Sequence, residues 1–336
     1  MAEGYITVII VTGFLGSGKT TLLSNWLPNP IFRRTAVIVN EFGQVGLDQR
    51  ILRRIEEKTI LLGGGCACCK VREDLVDELT RIVDDRDKGK MDIDQVLIET
   101  SGLADPAPIL FSIMTDSVLR HHYRVGCVIS CLDAVNGNLH LDANIESVKQ
   151  IAVSDRVIIT KTDLVNPEVV PALMQRIQTV NPTARILCSD NGRIDPENVL
   201  AAEDGLYIRE ERVQQAMKNG SHESSVKSIA VGFNQCLNWA AFGLWLSALL
   251  YAHGEEIYRV KGILDTGSGG PVLLNGVQHI IHPPKHLDSW ENEQKSEIVF
   301  IMRDIDPHVI LESLQAFQRI IGAEANIREL TMDPYQ

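Results

Sequence analysis

Between residues 5 and 200 the chain alternates short apolar runs with longer amphipathic ones. The short runs are "YITVIIVT" (5–12), "TAVIVN" (35–40), "KTILLG" (58–63), "DQVLIET" (94–100), "YRVGCVISCLD" (123–133), "RVIIT" (156–160) and "RILC" (185–188). Solid Val, Ile and Leu without polar alternation predicts strands covered on both faces. Helix-like segments separate most of them, as in "VREDLVDELTRIVDD" (71–85). Strand and helix in turn predict a doubly wound α/β domain with a mostly parallel sheet.

The pattern breaks near 209–226, "REERVQQAMKNGSHESSV", a polar stretch that contains Asn219-Gly220-Ser221. Turn-forming residues between periodic segments read as a linker. Past it come a strand at 226–233, a helix at 238–252, strand-like runs at 256–264, 272–275, 277–282 and 296–303, and a helix at 306–321. This order predicts a smaller α+β domain with an antiparallel sheet. The expected organisation is a first domain over 1–208, a linker over 209–226 and a second domain over 227–336, which suits a chain of 336 residues.

Charge and cysteine usage narrow the partners. The formal net charge is −12 and no Lys/Arg-rich block stands out, so nucleic acid is not an expected partner. "ITVIIV" (6–11) is short for a signal segment and runs into a glycine-rich motif. The longest apolar stretch, "NWAAFGLWLSALLYA" (238–252), falls below the roughly 18–20 residues that span a bilayer. No membrane association is expected. Seven cysteines, an odd number, with no export signal argue for a reducing, cytoplasmic setting, where clustered thiols serve metal or chemistry rather than disulfides.

Residues 13–20, "GFLGSGKT", fit G-x-x-x-x-G-K-S/T between a predicted strand and a helix-like "TTLLSNWL". That is the context a phosphate-binding loop requires. Gly13, Gly16 and Gly18 let the backbone curl with its N–H groups inward. Lys19 would reach the β- and γ-phosphates, and the Thr20 hydroxyl would bind Mg²⁺. A second apolar strand ends in "LIETSGLADP" (97–106). Glu99 stands where many NTPases place Asp, and the Gly102 N–H is a candidate γ-phosphate sensor. A third strand ends in "TKTD" (160–163). This matches N/T-K-x-D, in which the Asp carboxylate accepts from guanine N1–H and the 2-amino group while the Lys stem packs on the ring. The candidate GTP contacts are therefore Gly13, Phe14, Leu15, Gly16, Ser17, Gly18, Lys19, Thr20 and Thr21, with Thr160, Lys161 and Asp163 at the base. "CSDNG" (188–192) is a further candidate base-contacting loop, and "VNEFGQVGLD" (39–48) lies where a switch loop would sit, with Glu41 and Asp48 as candidate metal or Mg²⁺-water contacts.

"GGGCACCK" (63–70) places Cys66, Cys68 and Cys69 within four residues. Outside a secreted scaffold such a cluster reads as a metal site. Cys68 and Cys69 precede a predicted helix, whose N-terminal dipole, with Lys70 and Arg72, favours thiolate, the metal-binding form. Three thiolates leave a fourth tetrahedral position for water, Glu41 or a client's ligand, and an incomplete shell suits a donor. Zn²⁺ fits thiolate, and Co²⁺ binds more weakly by the usual order. The other cysteines, Cys127, Cys131, Cys188 and Cys236, lie in or beside apolar runs and read as core. Trp239 and Trp245 read as core-facing, and His121, His122, His279, His282 and His286 as surface histidines.

"GFLGSGKTT", "NEFG", "GGCACC", "ETSGLADP" and "TKTD", in this order, with "YRVKGIL" (258–264) and "NGVQHIIHPP" (275–284) further on, resemble the CobW-type P-loop GTPases over nearly the whole chain. The resemblance implies a P-loop NTPase domain followed by a CobW C-terminal domain. It implies a GTP-dependent metallochaperone or metal insertase whose Cys66, Cys68 and Cys69 bind the transferred metal. The client would be a metalloprotein or a cobalamin-assembly enzyme, and a nucleotide-dependent homo-oligomer is a further option. Catalysis would rest on Lys19, Glu99 and Gly102. The sequence departs from many relatives at Val39 and Gln44, where they carry acids, and its linker has only His222 where they carry a His-rich insertion. A metal buffer whose nucleotide site only regulates affinity is the rival reading. A P-loop kinase is a third, and Asp163 argues against it.

Overall fold

Solid apolar strands followed by helices close into one parallel sheet in the computed structural model, which describes residues 4–39, 59–61, 68–201, 226–267, 269–290, 296–321 and 325–328. The chain divides into two compact units, residues 1–174 with 184–202, and residues 175–183 with 203–336. In chain order the first part runs β1 (Ile6–Thr12), α1 (Lys19–Trp26), β2 (Thr35–Val39), β3 (Thr59–Leu61), α2 (Cys68–Asp87), β4 (Gln95–Glu99), α3 (Ala107–Thr115), α4 (Leu119–His122), β5 (Tyr123–Asp133), α5 (Gly137–Ala143), α6 (Ile145–Ala152), β6 (Arg156–Thr160), α7 (Val169–Val180), β7 (Arg185–Cys188) and α8 (Pro196–Leu200).

Among the described residues the sheet order is β3-β2-β4-β1-β5-β6-β7, and every pairing is parallel. The expectation of a mostly parallel sheet is met by one that is parallel throughout. Central β1 lies between β4 and β5, so the loops leaving β1, β4, β5 and β6 open on one C-terminal edge. Ligands of open α/β sheets sit at that edge. One core cluster joins Ile9, Val11, Leu97, Ile129 and Ile158 to Leu22, Leu23 and Trp26 of α1. Each such burial contributes about 1.5–3 kcal/mol, so the helix that follows the phosphate loop is anchored by its apolar face.

In the second part, β8 (Val226–Phe233), α9 (Trp239–His253), β9 (Ile257–Asp265), β10 (Pro271–Val277), β11 (Ile280–Ile281), β12 (Lys285–His286), β13 (Ser296–Arg303), α10 (Pro307–Ile321) and β14 (Ala325–Arg328) follow. The strands form an antiparallel sheet ordered β11-β10-β9-β13-β8-β14, with β12 beside β10. Asn238 caps α9 by accepting the Ala241 N–H at 3.1 Å, as a short polar side chain does at a helix start. Trp245 is fully buried and its Nε1–H donates to Ser313 Oγ at 3.1 Å. Trp239 is only partly buried against the same core.

Cys127 and Cys131 are core residues, as expected. Cys188 and Cys236 are not: both are exposed. Cys188 ends β7, the edge strand, and Cys236 lies in the loop before α9, so their apolar neighbours do not enclose them. Among the described residues no helix is long and apolar enough to cross a membrane.

Candidate functional site

The turn from β1 to α1 depends on three glycines with positive φ: Gly13 at 139°, Gly16 at 73° and Gly18 at 88°. Side-chain-bearing residues rarely adopt these conformations. Gly13 has a second constraint. A Cβ there would stand 2.3 Å from the Cys131 carbonyl oxygen and 2.7 Å from Ser17 Oγ. Gly18 occupies the N-cap of α1 and no side chain caps that terminus. Its N–H groups and partial positive charge suit a phosphate. Lys19 opens the helix and is largely buried; its Nζ donates to Gly13 O at 2.7 Å and Phe14 O at 3.2 Å. The ammonium is thus held inside the loop. Phe14 packs against His140 of α5 with ring centroids 4.6 Å apart and the ring planes tilted by 50°, while Leu15, Gly16 and Thr21 are exposed.

Glu99, the last residue of β4, lies beside Val11 of β1. It is buried, and its Oε1 accepts the Thr20 hydroxyl proton at 2.7 Å. A hydroxyl and a carboxylate this close are the hard oxygen donors that an octahedral Mg²⁺ takes from protein, with water and phosphate oxygens completing its shell. The donor set fits that ion. Beneath it, burial pushes the Cys131 thiol up to about 12, partly opposed by Lys19, so Cys131 stays a neutral wall at physiological pH.

Past Glu99, Thr100 ties the loop to β1 through its N–H to Val11 O at 3.0 Å and its hydroxyl to Thr12 Oγ1 at 2.8 Å. Gly102 is buried against Leu15 of the phosphate loop. Gln150 of α6, 1% exposed, donates from Nε2 to Gly102 O at 3.2 Å and Ala104 O at 3.0 Å. Lys149 stands 3.9 Å from Asp105 of the same loop. Sequence reading missed Gln150, and nothing in "IESVKQIA" distinguishes it.

At the end of β6, Thr160 donates its hydroxyl proton to Ser17 O at 2.7 Å, which joins the 160–163 segment to the phosphate loop. Lys161 adopts a left-handed backbone, φ 56°, and its Nζ is 3.6 Å from Asp133 Oδ2. Asp163 is exposed; its Oδ1 accepts the Asn191 N–H at 3.3 Å. Thr162 donates to Ser189 O at 3.0 Å. The 188–192 loop therefore lies against 160–163. From the other side Asn25 of α1 donates to Gly192 O at 3.0 Å. Asp133, which the structure places beside Lys161 and Thr160, was not singled out in the sequence, although an acid ending an apolar strand is the signal that picked out Glu99.

Cys68 and Cys69 open α2, which starts three residues earlier than the expected helix near 71. Cys66, Glu41 and Asp48 lie outside the described residues, as do Gln44 and His222. Among the described residues no group of three or more His, Cys, Asp or Glu could hold a metal ion. His121, His279 and His286 are exposed and His122 and His282 half-buried.

Residues 7–188 match the family described as CobW/HypB/UreG, nucleotide-binding domain, and residues 226–318 match the cobalamin synthesis protein cobW C-terminal domain. The zinc chaperone YjiA of Escherichia coli K12 is 29% identical over 300 residues, covering 88% of this chain and 93% of that protein. The zinc-regulated GTPase metalloprotein activator 1 of Saccharomyces cerevisiae is 30% identical over 364 residues, covering 92% and 83%. The crystal structure of Zn(II)-bound YjiA GTPase from Escherichia coli superposes with a TM-score of 0.64 at 22% identity, over 94% of this chain and 99% of that one. That likeness speaks to the fold.

Proposed function

This chain belongs to the CobW/HypB/UreG family and is a P-loop GTPase, and from that premise we propose that it is a metallochaperone. It couples GTP hydrolysis to delivery of a zinc ion, or a cobalt ion, to a client metalloprotein or a cobalamin-assembly enzyme. The cargo is held by Cys66, Cys68 and Cys69, with Glu41 or a client group in the fourth position. The observation that carries the nucleotide half of the reading is the 2.7 Å contact of Thr20 with Glu99. It unites the end of the phosphate loop with the end of β4, where the γ-phosphate and its metal belong. What supports the cargo half is the thiol cluster in the sequence, together with the zinc-chaperone names of the relatives.

Each residue has a role in this reading. Lys19 neutralises the β- and γ-phosphates from within the loop. Thr20 and Glu99 hold Mg²⁺, which when bound offsets charge that develops on the phosphate oxygens. The Gly102 N–H senses the γ-phosphate from a loop that Gln150 holds. Asp163 selects guanine. The thiol loop lies in sequence between the possible switch at 39–48 and Gly102, and γ-phosphate ordering both segments would bring the thiols into binding geometry.

The test is metal competition against a chelator of known affinity, first with Mg²⁺ and a non-hydrolysable GTP analogue, then with Mg²⁺-GDP. Linkage requires metal affinities that differ between the two states, typically by about 5–150-fold, and Lys19→Ala should abolish the difference. Equal affinities would sink the delivery reading in favour of a metal buffer.

A further inference from the structure

Asp133 is a carboxylate at the nucleotide loops that none of the roles above uses. It ends β5 directly opposite Thr160 of β6, and the two strand ends are joined by the Ala134 N–H donating to Thr160 O at 2.8 Å. The residue is 1% exposed. A charge so deep is costly unless it is paired. Its two oxygens are differently engaged. Oδ1 accepts the Asn136 N–H at 2.6 Å. Oδ2 is buried and accepts no hydrogen bond among the described residues, and the cation facing it is Lys161, 3.6 Å away.

Lys161 is unusual at its other end too. Its backbone is left-handed, φ 56° and ψ 33°, a conformation that a residue with a Cβ rarely adopts. The turn sets the direction in which the side chain leaves Cα, and the Asp133 carboxylate attracts its Nζ. A lysine stem otherwise samples many rotamers and loses that freedom on binding. Paired at its ammonium with Asp133, it has less of that freedom to lose when the base arrives.

We infer that Asp133 is a positioning residue for guanine recognition: its buried Oδ2 holds the Lys161 ammonium so that the lysine stem stands ready as one wall of the base site. This rests on the reading of 160–163 as the base-reading segment. The ion pair explains why an acid ends β5, whereas the Asn136 contact alone would be served by any short polar acceptor.

Asp133→Asn tests the effect, because it keeps an oxygen for the Asn136 N–H and replaces the charged acceptor that faces Lys161 with an uncharged amide donor. Binding of a fluorescent GDP and of inorganic tripolyphosphate is measured with Mg²⁺ for the full chain, Asp133→Asn, Lys161→Met and the double variant. Asp133→Asn is expected to weaken GDP by about 10-fold, in the range of pairwise couplings between close charges, and to leave tripolyphosphate within about two-fold. In the Lys161→Met background the same change should cost GDP affinity less than about two-fold, since its target is gone. If Asp133→Asn does not retain tripolyphosphate binding, Asp133→Ser, which keeps a hydroxyl acceptor, replaces it in the same cycle. Unchanged GDP affinity, an undiminished loss in the Lys161→Met background, or an equal loss of tripolyphosphate by both variants overturns the inference alone. A wild-type chain that binds ADP as tightly as GDP overturns the base reading and this inference with it.

Discussion

Gly102 lies against the backbone of Leu15: a Cβ at position 102 would stand 2.7 Å from Leu15 N and 2.8 Å from Leu15 Cα. Backbone cannot yield as a flexible side chain does, so Gly102→Ala must push the 101–106 loop away from the phosphate loop. Overpacking of this kind costs about 1–3 kcal/mol, which is up to about 100-fold in rate if it falls on the transition state. The expected outcome is a kcat for GTP hydrolysis lowered by about 10–100-fold, with GDP affinity within about three-fold. GDP lacks the phosphate that Gly102 would contact. A matching loss of GDP binding would place the damage in the phosphate loop and remove Gly102 from the sensor role.

Gln150→Leu strips the donor from the carbonyls of Gly102 and Ala104. Unmet buried acceptors cost about 1–3 kcal/mol, and here the cost falls on the loop rather than on the sheet. Amide hydrogen exchange over 101–106 should quicken while exchange in β1 and β4 stays slow, and kcat should fall more than GDP affinity. Exchange that rises across the whole first unit would mean that Gln150 supports the fold and not the loop.

Asp163→Asn replaces an acceptor with a donor facing guanine N1–H and the 2-amino group. Hydrogen bonds to a charged group contribute about 1.5–3 kcal/mol each, so calorimetry should show GDP weakened by at least about 10-fold and xanthosine diphosphate strengthened. A variant that keeps its guanine preference would show that Asp163 does not read the base.

Cys131, Cys188 and Cys236 should alkylate slowly at neutral pH. Burial pushes the Cys131 thiol up, and the partial desolvation that its neighbours impose raises that of surface Cys188. Cys236 is raised chiefly by its hydrogen bond to Asp265, 3.1 Å away. A raised thiol pKa leaves less thiolate, the reactive form, at any given pH. Labelling of Cys188 and Cys236 followed by mass spectrometry should therefore quicken as pH rises above 8, while buried Cys131 stays unlabelled. Asp265→Asn should bring Cys236 labelling toward neutral pH. Labelling of Cys236 that this change leaves untouched would show that the carboxylate does not control the thiol.

The strands and helices of the first unit were legible in the sequence because their burial repeats along the chain. β1, β5 and β6 begin and end within a residue of their apolar runs, since a strand covered on both faces must be apolar at successive positions. The phosphate loop was legible for a different reason. Gly13, Gly16 and Gly18 meet backbone demands that few other residues can, and those demands are local. The order of the sheet and the parallel direction of every strand came from packing, although alternation of strand and helix already implied the class.

What the sequence did not disclose has no period. β12 and β14 are short strands, and "ANIR" becomes a strand by pairing with β8, a contact that local propensity does not encode. Cys188 and Cys236 sit beside apolar residues yet are exposed, because neighbours in the chain do not fix which side of an edge strand or loop is covered. Gln150 meets Gly102 across 48 residues, and Asp133 meets Lys161 only because β5 and β6 are adjacent in register. The sequence by itself determined which backbone could hold a phosphate. Only the tertiary structure decided which distant side chains hold that backbone and its lysine in place, because a single contact across the fold leaves no repeating mark on the chain.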